Sequence, residues 1–470
     1  MANVVTRLLS MKHVFFLGRL SLNLNVRTYV SALFVSGKRA SESFAILSPY
    51  LDFDERFSDM DKLKNELKLR ALDVDAESVK NSWDLYKSVI SNRDALEKKR
   101  IDTASQIKGL NTNNAESVDN EEITRLKTVG KVLREDLKVV REILWELEDS
   151  VIPKILKLPN VLHKDTPAFD PVILYSYGNL NPGENSSCSS SHIDIGRRLG
   201  LLEYSSPMNY YLHNEAALFE LAVLRLAADE FVHDNTMRVT GLDFARSIIV
   251  EATGLDHESP EDSFILQDNE EVEKHSVNRM HLIGGASLPS FLAMHTKQLI
   301  NPKYFPLRYF ASGRQYVPFN SCLREAGMFT VCQSSVAEVF AMVKDSKSSE
   351  YAEEFERILD SAKLLYNSLC NHYRIVVRPA RDLRPWESLR VSFELWSPYS
   401  NDYIEVGHLS LCGEYLSKRL LISCQTHYGR TFPSIISGTI LSVPRLLGCL
   451  LEESPEEFVV PDKVRKYMPA

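Results

Sequence analysis

The side chains best spaced to do chemistry here are basic. Lys127, Lys131, Arg134, Lys138 and Arg141 succeed one another at intervals of four, three, four and three. On a helix that spacing lines one flank, because residues three and four apart stand above each other. Lys98, Lys99, Arg100 and Lys108 add positive charge on the stretch before it. A rigid stripe of this kind can track nucleic-acid phosphates, with affinity that falls steeply in salt because each contact releases counterions. The alternative is a solvated coiled-coil face on which Glu135, Glu142 and their neighbours neutralise the same cations. A formal net charge of -8 excludes a wholly basic coat, so RNA contact has to come from local patches.

A second charge pattern concerns location. The first 41 residues carry Arg7, Lys12, Arg19, Arg27, Lys38 and Arg39, are rich in Ser and Leu, and hold no acidic residue before Glu42. That is the composition of a mitochondrial presequence. Residues 1–41 are therefore expected to direct the protein to the mitochondrial matrix. The seven cysteines, Cys188, Cys322, Cys332, Cys370, Cys412, Cys424 and Cys449, are scattered and include no C-x-x-C pair. They suit a reducing compartment and argue against a disulfide framework or a zinc site, so no metal centre is expected. No apolar run reaches the roughly 20 residues of a membrane-spanning helix.

A basic stripe has to be held by a helix, and the sequence supplies two. From about Trp83 to Asp149 the chain is charge-rich, with only Gly109 and Gly130 inside it. Leu126, Leu133, Val140 and Leu147 recur every seven residues, and Leu137, Leu144 and Val151 come four residues after the last three. This is an apolar seam at 3/4 spacing. Leu85, Val89 and Leu96 begin a weaker one upstream, and Asn111-Thr112-Asn113-Asn114 marks a turn between them. A short turn returns the second helix along the first, giving an antiparallel hairpin. Pro153 and Pro159 are expected to end it.

Past residue 165 the pattern is mixed. Helices are expected over Ile193–Leu202, Glu215–Val232, Tyr351–Tyr373 and Ile440–Leu451. Strands of an antiparallel sheet are expected over Tyr304–Ala311, Arg374–Val377, Leu389–Leu395 and Leu420–Ser423. The class is α+β, divided into residues 1–41, an N-terminal domain with the arm over 42–160, and a sheet domain over 161–470.

The order of these segments resembles the seryl-tRNA synthetase family of class II aminoacyl-tRNA synthetases. Leu158-Pro159-Asn160 with His163 is similar to the exit from that family's arm. His192-Ile193-Asp194-Ile195-Gly196 with Leu199-Gly200-Leu201 is similar to the family's next helix, and Tyr210-Tyr211-Leu212 to the strand beyond that helix. Later, Phe305-Pro306-Leu307-Arg308, Glu394-Leu395-Trp396, Glu405-Val406, Ser410, Cys412, Arg419 and the closing Val460-Pro461 to Tyr467-Met468 fit as well. The resemblance runs from about residue 55 to the C-terminus. It implies a class II antiparallel sheet with covering helices, behind a coiled-coil arm that in the family holds tRNA.

The same resemblance marks losses. Where the family's motif 2 carries an arginine and a glutamate, matching through Tyr316 gives Val317 and Phe319. Neither can neutralise the charge that develops on the α-phosphate of ATP. A second alignment, through Leu323-Arg324-Glu325-Ala326-Gly327, keeps those letters at the expense of the spacing from Arg308. The family run Arg-Val-His-Gln-Phe-x-Lys-Val-Glu reads Thr330 to Glu338 here, without its basic residues. The Thr-x-Glu motif for serine becomes Gly285 and Ser287, the Asn after Ser410 is Leu411, and the Asn of motif 3 is Ser437. Motif 1, which forms the dimer and has a characteristic proline, reads Leu242 before Asp243.

Arg308, Glu405 and Arg445 remain as residual nucleotide-site candidates, or as structural ion pairs on an inherited scaffold. No cofactor is expected, with residual ATP or Mg binding left open. The reading is a catalytically inactive paralogue in mitochondria that binds RNA, mitochondrial tRNA included, and pairs with the genuine mitochondrial seryl-tRNA synthetase or with itself. The alternatives are a divergent active ATP-dependent serine-tRNA ligase and a protein-interaction module that touches no RNA.

Overall fold

The 3/4 seam folds as its period dictates. Helix α1 (Ala76–Asn113) and helix α2 (Asn120–Leu156) run as the two limbs of the arm. On α2, Leu133, Leu137, Val140, Leu144, Leu147 and Val151 are buried, while Leu126 is half-buried toward the far end. The structure, a computed structural model, describes residues 29, 31–35, 47–113, 120–178, 189–233, 235–266, 279–319, 326–427 and 429–468. The basic stretch through Thr28, the Asn114 end of the turn cluster, Cys188, Cys322 and the Leu323-Arg324-Glu325 run lie outside those residues.

The second helix ends at Leu156, between the two prolines expected to bound it, with Pro153 inside its last turn. The ring removes one backbone donor. Ile152, Ile155 and Leu156, all essentially inaccessible to solvent, hold the last turn against the sheet domain. They share an apolar cluster with Ile248, Ile249, Phe291 and Phe340, so the root of the arm is part of the core. Chain contacts separate Met1–Val30 from Ser31–Ala470, and the arm and the sheet both belong to the second unit.

Among the described residues the main sheet has eight strands: β1 (Val172–Tyr177), β2 (Thr236–Arg238), β3 (Leu307–Tyr316), β4 (Gln333–Val343), β5 (Tyr373–Val377), β6 (Leu389–Ser397), β7 (Asp402–Gly413) and β8 (Ser434–Ser442). Their spatial order is β1-β5-β6-β7-β8-β4-β3-β2. Every pairing is antiparallel except β2 on β3. The central strands are buried on both faces, because helices α3 (His192–Arg198), α4 (Asn214–Phe231), α6 (Ser349–Leu369) and α8 (Val443–Glu453) pack a second apolar cluster against them. This is the mixed α+β class, with a helical arm in front of a largely antiparallel sheet.

Several boundaries differ from expectation: α1 runs on through Asn113 of the expected turn, the helix expected to Leu202 ends at Arg198, the one expected to Tyr373 ends at Leu369, and the strand expected from Tyr304 begins at Leu307. Two further stretches change type. Ile440–Ser442 belongs to β8, and the helix begins at Val443 with Pro444 in its first turn, where a missing backbone donor costs nothing. Leu420 closes helix α7 (Tyr415–Leu420), whose cap Leu421 is left-handed, and the next strand starts at Ser423. Both stretches are mostly apolar, which suits a buried helix as well as a buried strand. Among the described residues no helix is long and apolar enough to cross a membrane.

Candidate functional site

Where β3, β4, β7 and β8 lie side by side, a cavity of about 110 Å³ opens over the sheet. Gln315, Tyr316 and Val317 reach it from the end of β3, Glu338 from β4, His408 from β7, and Ser437 to Thr439 from β8. Strand crowding dictates part of this wall. A Cβ on Gly438 would stand 2.1 Å from the His408 carbonyl oxygen, so only glycine fits. Gly284, at φ +92°, turns the chain over Arg314 to bring Ser287 to the opposite wall.

Glu338 is the cavity's buried acid. One carboxylate oxygen accepts the Thr439 hydroxyl at 2.6 Å and the other the Ser437 hydroxyl at 3.2 Å. Burial pushes its pKa up to about 8, although both hydroxyls act the other way. It is the last residue of the Thr330–Glu338 run, and the sequence alone did not mark it as a site residue. A signal existed: Glu338 keeps the final letter of the family run whose basic residues are gone.

Beside the cavity lies a charge network. Arg390 of β6 bonds Glu405 of β7 and stands 3.4 Å from Glu387. Glu387 also accepts the Ser410 hydroxyl at 2.7 Å and the Arg384 N–H at 2.7 Å. Burial would raise the Glu405 carboxyl, but Arg390, His408 and Arg445 outweigh it and hold it at about 2. Burial and Arg390 together depress His408 to about 3, so its ring is neutral near pH 7. Arg445 donates to the Glu405 backbone oxygen at 2.7 Å. Arg384 lines the cavity itself, with its guanidinium 5.4 Å from the Trp386 ring.

The residues singled out in the sequence are thus brought together only in part. Glu405 and Arg445 meet, but the Glu405 carboxylate is bonded to Arg390. Arg308 is elsewhere: it pairs with Glu354 of α6 at 2.9–3.1 Å, beside Arg357, at the far end of β3 from the cavity. Val317 lines the cavity, whereas Phe319 is half-exposed and does not. Gly285 donates its N–H to Asp243 at 2.8 Å, and a Cβ there would stand 2.8 Å from the Gly241 carbonyl oxygen. The Ser287 hydroxyl is turned onto the Gly284 carbonyl at 2.7 Å. Leu411 is packed in the core, and Ser437 is bonded to Glu338. Among the described residues the cavity is lined by the carboxyls of Glu338 and Asp262, several hydroxyls, the Gln315 amide, the His408 imidazole and the Arg384 guanidinium.

The arm carries the other candidate surface. Lys127, Lys131, Arg134, Lys138 and Arg141 are all exposed, on the flank of α2 away from the seam. Among the described residues no ion pair links these five to Glu135, Glu142 or any other acid at contact distance. On α1, Lys98, Lys99 and Lys108 are exposed; Arg100 is bound to Glu97 at 2.5 Å.

Residues 271–454 match the tRNA synthetase class II core domain (G, H, P, S and T). The chain is 31% identical to the serine–tRNA synthetase-like protein Slimp of Drosophila melanogaster over 427 residues, 90% of this chain and 89% of that one. It is 23% identical to the mitochondrial serine–tRNA ligase of Bos taurus, over 92% of this chain and 85% of the ligase. Its fold is shared with the seryl-tRNA synthetase of Pyrococcus horikoshii, solved with ATP, at a TM-score of 0.74 and 20% identity, over 89% of this chain and 98% of that one. An arm rooted in a class II core, together with a 31% identical relative along almost its whole length, establishes that the chain belongs to the seryl-tRNA synthetase family.

Proposed function

We propose that this chain is a mitochondrial synthetase paralogue that has given up amino-acid activation and works by binding RNA along its arm and by pairing with a second class II subunit. The observation that carries the reading is the composition of the cavity. Val317, the position that the resemblance matches to the motif 2 arginine, lines the cavity, the nearby Glu405 carboxylate is bonded to Arg390, and Gly285 and Ser287 are hydrogen-bonded to other groups of the chain. A preorganised positive charge at the reacting phosphate contributes several kcal/mol to such a reaction, and an isopropyl group contributes none. Residual ATP or Mg binding would have to rely on Arg384 and Arg445 without that contact.

The test is ATP–pyrophosphate exchange with serine, then with each other amino acid, on protein purified free of any authentic synthetase. No exchange above background is expected from folded protein. Robust exchange would favour the second reading, a divergent active ligase. The observation on its side is that a cavity persists with Glu338 on its wall.

RNA binding is supported by the five exposed cations of α2, and the mitochondrial setting by the basic, acid-free N-terminus and by a mitochondrial ligase among the relatives. Pairing is supported by exposed apolar side chains around the motif 1 segment, notably Leu242 and Phe244. The partner is a second copy or the genuine mitochondrial seryl-tRNA synthetase, and co-purification with and without that enzyme separates the two.

A further inference from the structure

Part of the acid-free N-terminal stretch, residues 31–35, is built into the fold. Ser31 to Leu33 are buried, with Leu33 wholly inaccessible to solvent. Leu33 belongs to the apolar cluster that includes Phe57, Ile248, Ile249 and Leu416, and Phe34 packs on its edge. The Phe34 N–H is bonded to the Ser31 hydroxyl at 2.9 Å, closing a turn. That turn aims two backbone donors at one acid. The N–H groups of Ala32 and Leu33 reach the same Glu251 carboxylate oxygen at 2.5 and 2.6 Å.

Glu251 sits on helix α5 (Ser247–Ala252) and is 3% exposed. His257 Nε2 is 3.9 Å from the oxygen that holds the turn, and Arg419 donates to the Glu251 backbone oxygen at 3.5 Å. The second carboxylate oxygen is buried and makes no hydrogen bond among the described residues. Without the turn, the carboxylate would lose both of its short backbone donors inside an apolar cluster. An unpaired buried charge of that kind is strongly destabilising. The same helix end also supports function, since Val250 and Thr253 line the cavity.

We infer that Glu251 is the docking site for the N-terminal turn Ser31–Phe34, that this turn is a permanent part of the working protein, and that any import cleavage falls at or before Val30. The cleavage clause rests on the proposed mitochondrial setting; the docking clause does not. Removal of all 41 acid-free residues would strip the turn away and leave Glu251 facing the core.

Hydrogen exchange on the full-length protein tests the docking. The amides of Ala32 and Leu33 should exchange at least about 100-fold more slowly than in a free peptide of the same sequence. Glu251→Ala should remove most of that protection, and Glu251→Gln, which keeps an acceptor, should restore part of it, with the amides of β6 unchanged in both. Exchange at the free-peptide rate in the unsubstituted protein overturns the docking, whatever the variants do. Intact mass of the protein recovered from mitochondria tests the cleavage. A first residue at or before Ser31 supports it, and one at Ala32 or later overturns it. Full-length protein found outside mitochondria, with Ala32 and Leu33 still protected, would sink the mitochondrial setting and leave the docking standing.

Discussion

Glu338 and Glu405 are both buried carboxyls beside one cavity, and their surroundings push them in opposite directions. Glu338 is raised to about 8 by burial, against an ordinary value of 4.5. Between those two values the folded chain holds a proton that the unfolded chain has released, so stability falls as pH rises from 4.5 toward 8. Glu338→Gln removes that dependence. Between pH 5 and pH 8 the wild-type protein should lose on the order of 3 kcal/mol relative to the variant, measured by denaturant titration. Parallel profiles would mean the acid ionises freely. Glu405 is the reverse: held at about 2 by Arg390 and its neighbours, it contributes stability above 4.5 that is lost as pH falls through 4.5 toward 2. Glu405→Gln should cost about 3 kcal/mol at pH 7, because it leaves the buried Arg390 guanidinium with Glu387, at 3.4 Å, as its remaining carboxylate, and should flatten the acid limb of the stability curve. If instead Glu405 were kept for a metal or nucleotide, the substitution would change stability little in the absence of ligand.

At the scale of elements, the arm presents its cations on one flank of α2 and its apolar seam on another, so the two can be altered independently. Reversing Lys131, Arg134 and Lys138 to Glu touches no buried residue and should leave thermal unfolding nearly unchanged. If the stripe tracks phosphates, RNA affinity should fall and the slope of log K against log salt should become shallower by about 2, since three contacts are removed. An unchanged slope, in a filter-binding or fluorescence titration across salt, would show that the stripe is only a solvated face. The arm was legible in the sequence because its determinants are local: a seven-residue repeat and a flank of charges are properties of one helix. The cavity was not. Arg390, Glu405 and His408 lie on neighbouring strands, and only register joins them, with Arg390 opposite Ser410 and Ser392 opposite His408. A register shift between Phe393 and Glu394 then brings Glu394 opposite Glu405, so strand-by-strand counting would not have found the pairs. The resemblance located Glu405 and Arg445 but could not show that Arg390 holds the Glu405 carboxylate. It also kept Arg308 as a site candidate, when the polarity of β3 puts it at the other end of the strand.

At the scale of the whole molecule, the question is what covers the apolar surface that one chain leaves open. Met237 on the edge strand β2 is 61% exposed, and the segment after it exposes Leu242 at 70% and Phe244 at 49%. Scattered exposed apolar residues are ordinary, but three within eight positions beside a sheet edge are what an isologous interface uses. β2 is three residues long and pairs in parallel with β3, so it gives a partner little backbone to extend, and side-chain burial has to supply the affinity. Under the proposed pairing, the chain sediments as a two-subunit species, either alone or mixed with the mitochondrial seryl-tRNA synthetase. Leu242→Asp combined with Phe244→Asp should then yield a folded monomer in both settings, because two buried charges facing a partner cost far more than they do in water. The unfolding temperature of that monomer in isolation should stay close to that of the unsubstituted chain held below its association range, since neither side chain is buried within one subunit. A wild-type protein that sediments as a single chain both alone and in the mixture would remove the pairing, and the basic arm would then have to act by itself.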